Sequence, residues 1–487
     1  MIDPAAAEHP GEAKDNMGRK RGAVILLAII IALVAALSAS CSVIGDMLSS
    51  GLEEIIGELE KTAEPDTANT ETDLLVIVTP SAAPDSAATA ASTSAPTKLP
   101  TAVPTSAPTS APTATASAGF VDDYVPGYGG SIVRINKTDP GEPLRYWRAT
   151  LKDPAQVAAY NSLEAAAKNR GNVAVITQKI SFEDFKPVFE KFMLDHPEIF
   201  WYDNSYHGTG FTNNLNTVEI AQKYGENQIK LMQNGIDDVT RQILSKIPDG
   251  ASDFEAELII FEWLAANVQY DLNAPNAHTL YGALVDRRCV CEGYAEAFQY
   301  LCGKVGIPAT SVTGIGDNGK TAEKHKWNAA KIGGRWYLVE PTWANTSTTK
   351  RFLFLNCSDF IAADHTPKDY QVPDLPSFSA TAADYLNYYG LAVRNAADTG
   401  EFDEVFMRAV THFIKRFPTG SASAAVLMRA PDNASAQRFA GWITDSDSSR
   451  VKELMRRVND GEDRTYVIWG DAELLEGNVV AFKLARY

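Results

Sequence analysis

Three side chains far apart in this chain are of the types that together carry out acyl transfer: Cys291, His325 and Glu340. A cysteine thiolate attacks an amide carbonyl, and a nearby imidazole takes the thiol proton and later returns it to the leaving amine. A carboxylate on the other ring nitrogen fixes the tautomer and orientation of that imidazole. Backbone N–H groups at a helix start stabilise the oxyanion that forms on the way. The question is which elements bring such residues together.

From Cys291, the residues Ala295, Phe298, Leu301, Cys302 and Val305 recur with a helical period, and Gly303, Gly306 and Pro308 end the run. The sulfur therefore sits at a helix head, where the dipole favours thiolate. Residues 309–315 read as a strand. After a Gly-rich loop, residues 325–332 and 335–340 are strand-like runs separated by Gly333-Gly334, a hairpin signal. A two-residue turn between Ile332 and Arg335 sets His325 opposite Thr342 and Trp327 opposite Glu340. His325 and Glu340 then share a face as diagonal neighbours, with Cα atoms roughly 7–8 Å apart. A register slip of one residue would separate them.

The segments RCVCEGYAEAFQY (288–300) and HKWNAAKIGGRWYLVEPTW (325–343) resemble the bacterial transglutaminase-like superfamily, a branch of the papain-like cysteine enzymes. The resemblance implies a nucleophile at Cys291 in V-C-E-G-Y-A, a base at His325 in H-x-W-N, and a third member at Glu340 in V-E-P-T-W. The family usually has Asp at that last position, so this chain adds one methylene. The TLYGAL run (279–284) and Asp364-His365-Thr366 also look like the family's lead-in and exit. The implied fold is α+β, with the nucleophile's helix packed on an antiparallel sheet that bears His and the carboxylate. A helical lead-in and a small C-terminal α+β domain complete the expected architecture. Trp327, Tyr294 and Trp343 are the candidate substrate-binding aromatics. No cofactor is expected. Cys289 and Cys291 form a C-x-C without the second Cys/His cluster a zinc site needs, so no metal site is expected either.

Upstream, helix signals are plain. Asp153-Pro154 opens a helix over 156–168, Ser181 with Asp184 opens another, and Ser252 with Glu255 is a capping box before an apolar run. Residues 206–221 read as strand or loop. Toward the C-terminus, helical runs at 382–396 and 405–414 precede a helix near 449–458 and a strand pair at 465–469 and 478–484. This last unit shows no chemical constellation.

Composition sets the remaining bounds. Of 487 residues, 45% are hydrophobic and 22% charged, enough for a packed core. A formal net charge of −17 argues against nucleic acid as a partner. At the N-terminus, Arg19, Lys20 and Arg21 precede the unbroken apolar run of residues 23–37, an export or membrane signal whose basic side stays in the cytoplasm. Extension to residue 44 reaches the ~20 residues of a span. Alternatively, LSASC ending at Cys41 resembles a lipoprotein signal with a lipidated cysteine. Residues 81–118 are almost wholly Pro, Ser, Thr and Ala. Extended at ~3.1 Å per residue, they reach on the order of 120 Å. The short apolar run at 74–78 inside that region has no role readable from sequence.

The expected layout is a leader (1–22), an anchor (23–44), a linker (45–119), the N-terminal part of the folded region (120–250), a catalytic domain (251–378) and a C-terminal domain (379–487). It describes a membrane-held, surface-exposed thiol enzyme acting on protein or peptide substrates or cell-wall components. The acyl acceptor, amine or water, stays open. A non-catalytic adhesion module on the same fold is the alternative.

Overall fold

Capping side chains and turn glycines set the element boundaries of this protein. The computed structural model describes residues 76–78 and 133–486, apart from residues 212, 347–348, 417–422, 446–447, 461 and 463–464. The predicted anchor (23–44), Cys41 and most of the predicted linker lie outside the described residues. No helix among the described residues is long and apolar enough to cross a membrane.

The first part of the chain holds β1 (Val76–Val78), α1 (Tyr146–Thr150), α2 (Pro154–Lys168), β2 (Val173–Val175), α3 (Phe182–Asp195), β3 (Tyr202–Phe211), β4 (Asn214–Gln222) and α4 (Glu226–Leu244). Asp153 caps α2 with Pro154 at its first position, and Ser181 caps α3 through the N–H of Asp184. These strands form a sheet in the order β1-β3-β4-β2. The 206–221 stretch is thus a hairpin. The apolar 74–78 run gains an account: three of its residues add a strand antiparallel to β3.

The central part runs α5 (Asp253–Asn267), β5 (Gln269–Tyr270), a π-helical turn (Gly282–Asp286), β6 (Arg288–Cys289), α6 (Cys291–Gly303), β7 (Ala309–Asp317), β8 (Ala322–Ile332), β9 (Arg335–Val339), α7 (Pro341–Thr346), α8 (Ser358–Asp364) and β10 (His365–Pro367). The capping box of Ser252 and Glu255 is fully formed at the head of α5. The second sheet has the order β10-β7-β8-β9, all pairs antiparallel. It is the α+β core the sequence implies, with α6 against β7 and β8.

Gly333 and Gly334 both take positive φ (56° and 80°), so the hairpin has its two-residue turn, and Ile332 pairs with Arg335 as expected. The ladder stops earlier than predicted. Asn328↔Val339 is the last pair, and residues 322–327 of β8 pair only with β7. Pro341 cannot donate to a ladder and favours the first turn of a helix, so the chain leaves the sheet at Glu340 and winds into α7. His325 does not face Thr342, nor Trp327 Glu340.

The C-terminal part contains α9 (Tyr385–Tyr388), α10 (Thr399–Arg416), β11 (Ser423–Arg429), α11 (Asn433–Thr444), α12 (Ser449–Asn459), β12 (Tyr466–Leu475) and β13 (Val479–Arg486). The sheet order is β11-β13-β12. The helix expected over 382–396 is only the four residues of α9. Gly390 takes φ +66° just after it, and Ala392 bridges to Arg429 of β11 instead.

One buried amide ties α6 to the sheet. Asn328 Nδ2 donates to Ala295 O (3.0 Å) and Thr310 O (3.3 Å), with the residue wholly buried. Removing it leaves two buried carbonyls short of a donor. Asn328→Ala is expected to lower unfolding stability by about 1–3 kcal/mol. Urea denaturation checks this, and an unchanged midpoint would contradict the tie.

Candidate active site

Cys291 is the first residue of α6, and its local surroundings explain the residues around it. β5 and β6 pair in parallel, with Tyr270 opposite Cys289, and Val290 N donates to Ala277 O at 2.9 Å. This holds the approach to the helix. Gly293 lets α6 lie close: a Cβ there would sit 2.6 Å from Cys289 Cβ and 3.0 Å from Thr279 O. The Cys291 thiol is partly exposed, whereas Cys289, Cys302 and Cys357 are buried free thiols. Burial pushes all three of these thiols up in pKa, the direction of an inert cysteine.

His325 lies on β8, and its Nε2 is 2.8 Å from Glu340 Oε2. Cys291 is close enough for its thiol to act electrostatically on the ring. With Nε2 given to Glu340, Nδ1 is the nitrogen left to face the sulfur. Glu340 is wholly buried, and its other oxygen accepts from the N–H groups of Thr342 (2.7 Å) and Trp343 (2.9 Å) at the head of α7. The departure into α7 thus places the carboxylate. The longer Glu side chain reaches back from beyond the ladder's end to the ring.

Electrostatics follow from that geometry. Burial works to lower the His325 pKa, but the Glu340 charge and hydrogen bond, together with the nearby Cys291, outweigh it, pushing His325 up to about 10. Burial likewise works to raise Glu340, and the charge and hydrogen bond of His325 outweigh it, holding the carboxyl well below its usual range. The site is therefore built to hold an imidazolium beside a carboxylate.

A second ion-pair network fixes the helix to the strand. Cys291 and His325 are each followed in sequence by a charged residue of this network, Glu292 and Lys326. Lys326 Nζ lies 2.7 Å from Glu292 Oε1 and 3.3 Å from Glu296 Oε1, and His278 Nδ1 lies 3.1 Å from Glu292 Oε2. Burial works to lower Lys326 while the two glutamates raise it, and the net direction is upward. The pair clamps the thiol-bearing helix to the imidazole-bearing strand.

The structure brings Cys291, His325 and Glu340 together. It sets Tyr294 and Trp327 elsewhere than on a substrate path. Both are wholly buried, and Tyr294 spends its hydroxyl on Val268 O at 2.6 Å. They support the site from behind because the apolar face of α6 and the inner face of β8 are core. Trp343 remains partly exposed, its ring centroid 5.4 Å from that of His325.

Two residues escaped the sequence reading. Tyr270, 40% exposed, is close enough for the charges of Cys291 and Glu340 to act on its hydroxyl. His365 is buried, with Nε2 3.3 Å from Glu340 Oε2. The available signal was the G-I-G of β7, since alternating strand glycines mark close approach. A Cβ at Gly314 would lie 2.0 Å from Thr366 O, and one at Gly316 would lie 3.2 Å from the His325 side chain.

His325, Glu340 and His365 are also the group of possible metal donors among the described residues, with donor atoms within 4.8 Å of one another. The 2.8 Å between His325 and Glu340 is a hydrogen bond. It is closer than two ligands of a tetrahedral zinc, which stand ~3.3 Å apart for 2.0–2.1 Å bonds.

Linkage gives a pH prediction. With His325 raised, the pair's stabilisation is complete below the ordinary histidine value of about 6.5 and is lost as pH climbs toward 10. With Glu340 lowered, it is complete above the ordinary glutamate value of about 4.3 and is lost as pH falls below that. Thermal unfolding of the wild type should weaken from near neutral to about pH 10 more steeply than that of Glu340→Gln. Parallel curves would contradict the coupling.

Residues 238–341 match the family model of the Transglutaminase-like superfamily. The kyphoscoliosis peptidase of Mus musculus is 28% identical over 140 residues, 26% of this chain and 21% of that protein. Its Homo sapiens counterpart is 27% identical over 165 residues, 29% of this chain and 24% of that protein. The chain thus spans less than a quarter of the length of these curated relatives. Among solved structures, a TGase overlaps at 10% identity, covering 37% of this chain and 47% of that one, with a TM-score of 0.21. The periplasmic domain of TgpA from Pseudomonas aeruginosa, bound to ethylmercury, overlaps at 16% identity, covering 29% and 61%, with a TM-score of 0.18. Residues 238–341 of this chain thus carry a transglutaminase-like domain.

Proposed function

We propose that the protein is a thiol acyl-transfer enzyme that forms an acyl-enzyme at Cys291 from an amide of a protein or peptide. The observation that carries this is the buried His325–Glu340 pair, capped at the head of α7 and with Cys291 at a helix head close enough to act on the His325 ring. The sulfur attacks the carbonyl carbon, and the oxyanion faces the N–H groups that begin α6. His325 gives its proton to the departing amine, so the C–N bond breaks and a thioester remains. It then takes a proton from the incoming acceptor as the thioester is cleaved. Glu340 keeps the ring in the tautomer that points Nδ1 at sulfur.

The acceptor decides between cross-linking and hydrolysis. A lysine amine yields an isopeptide bond, and water yields a peptidase or amidase; the peptidase name of the mouse and human relatives favours water. We further propose that the folded region is displayed outside the cytoplasmic membrane. The basic cluster followed by the apolar run at 23–37 supports an anchor, by span or through Cys41, and the Pro/Ser/Thr/Ala-rich stretch supports a tether. Cell-wall peptides and surface proteins are the substrates such placement offers.

Brief iodoacetamide treatment at neutral pH should label Cys291 selectively over the three buried thiols. His325→Ala should slow that labelling by about 100-fold or more, as expected for losing a general base. Labelling at an ordinary thiol's rate, indifferent to His325, would overturn the enzyme reading. An amine-tagged probe offered with a glutamine-containing protein then separates the outcomes, with Cys291→Ala as control. Cleavage without probe incorporation marks a hydrolase, and incorporation marks a transferase.

A further inference from the structure

His365 is the buried titratable group that the mechanism above leaves unused. Its ring packs tilted or edge-on among those of the site, with centroids 4.4 Å from Trp343, 4.9 Å from Trp327 and 5.2 Å from His325. Nδ1 lies 2.9 Å from the carbonyl oxygen of Ile361, one turn back in α8, so Nδ1 carries a proton and donates. Nε2 is fully buried, lies 3.3 Å from Glu340 Oε2, and makes no well-aligned hydrogen bond among the described residues.

Chemistry restricts what that nitrogen can be. A neutral ring with its proton on Nδ1 would aim the Nε2 lone pair at a carboxylate oxygen, both in a water-free place, and burying two facing acceptors is costly. A ring protonated on both nitrogens donates to Ile361 O and to Glu340 at once. The second arrangement gives each ring nitrogen of His365 an acceptor to face.

We propose that His365 is a positioning residue for acyl transfer: it donates Nε2–H to Glu340 and, with the N–H groups of Thr342 and Trp343, holds that carboxylate against His325. The inference rests on the acyl-transfer reading and adds a fourth member to its set of residues. It also explains how the site uses Glu. A longer side chain has one more torsion to fix, and the carboxylate is faced by two backbone N–H groups on one oxygen and two imidazoles on the other. The placement comes from β10, where His365 pairs with Gly316 on the far edge of β7 while His325 pairs with Gly314 on the near edge.

Two full-length variants separate hydrogen bonding from packing. His365→Phe keeps a ring among the tryptophans and loses the donor; His365→Gln keeps a donor near the Nε2 position and loses the ring. If His365 positions Glu340, Phe should slow Cys291 alkylation by about 10- to 100-fold, the range for losing one hydrogen bond to a charged group. Gln should retain most of the rate. The reverse pattern, Phe active and Gln slow, would mean the ring only packs and would overturn the proposal. The second readout is ring-nitrogen NMR of His365 in Cys291→Ala protein, which needs no activity. A protonated Nε2 whose shift moves in Glu340→Gln supports the contact, and a bare, pyridine-type Nε2 at neutral pH overturns it. Slow labelling of the wild type together with a protonated Nε2 would reject acyl transfer while leaving the contact in place, so the two failures are distinguishable.

Discussion

A buried imidazole–carboxylate contact, His325 to Glu340, is the interaction on which the rest of the site depends. A carboxylate with no exposure to water is unfavourable unless charge and donors surround it. Here Glu340 meets a facing imidazole and two backbone N–H groups, and those N–H groups exist only because α7 starts at Pro341. The chain's exit from the sheet and the orientation of the His325 ring are therefore one structural event.

The clamp between α6 and β8 serves the same end from the other side. Glu292 and Lys326 follow Cys291 and His325 directly in sequence, and their ion pair is buried. Removing one partner of such a pair leaves an uncompensated charge, which costs about 3–5 kcal/mol in comparable settings. Asn328 adds a neutral tie two residues further along β8. Sulfur and imidazole are thus held by elements joined independently of the His325–Glu340 contact, which suits the proposed acyl transfer, a reaction that needs fixed geometry.

Much of this was legible in the sequence, for identifiable reasons. The Ser252–Glu255 box, the Asp153-Pro154 start and the Gly333-Gly334 turn are local signals, and each fixes its element. Cys291, His325 and Glu340 were readable because a helix head and a short hairpin bring them close with little intervening chain. What sequence hid was non-local or unsigned. Helix α4 begins at Gly225 without a side-chain cap, so no start signal marks it. The hairpin ladder was extended past Val339 because the effect of Pro341 on the strand's end outweighs the alternation before it. His365 reaches the site only through β10 pairing on β7, which the glycines of β7 mark but no pattern around His365 itself does. Tyr294 and Trp327 lie close to Cys291 and His325 in sequence, yet their positions on helix and strand turn them into the core.

The most direct test of the central contact is an NMR titration of the His325 ring nitrogens in the full-length protein. The account predicts an imidazolium that persists well above neutral pH and titrates near 10, falling toward the ordinary histidine range in Glu340→Gln. A ring that has already lost its proton by about pH 7 in the wild type, or one that titrates identically in Glu340→Gln, would contradict it.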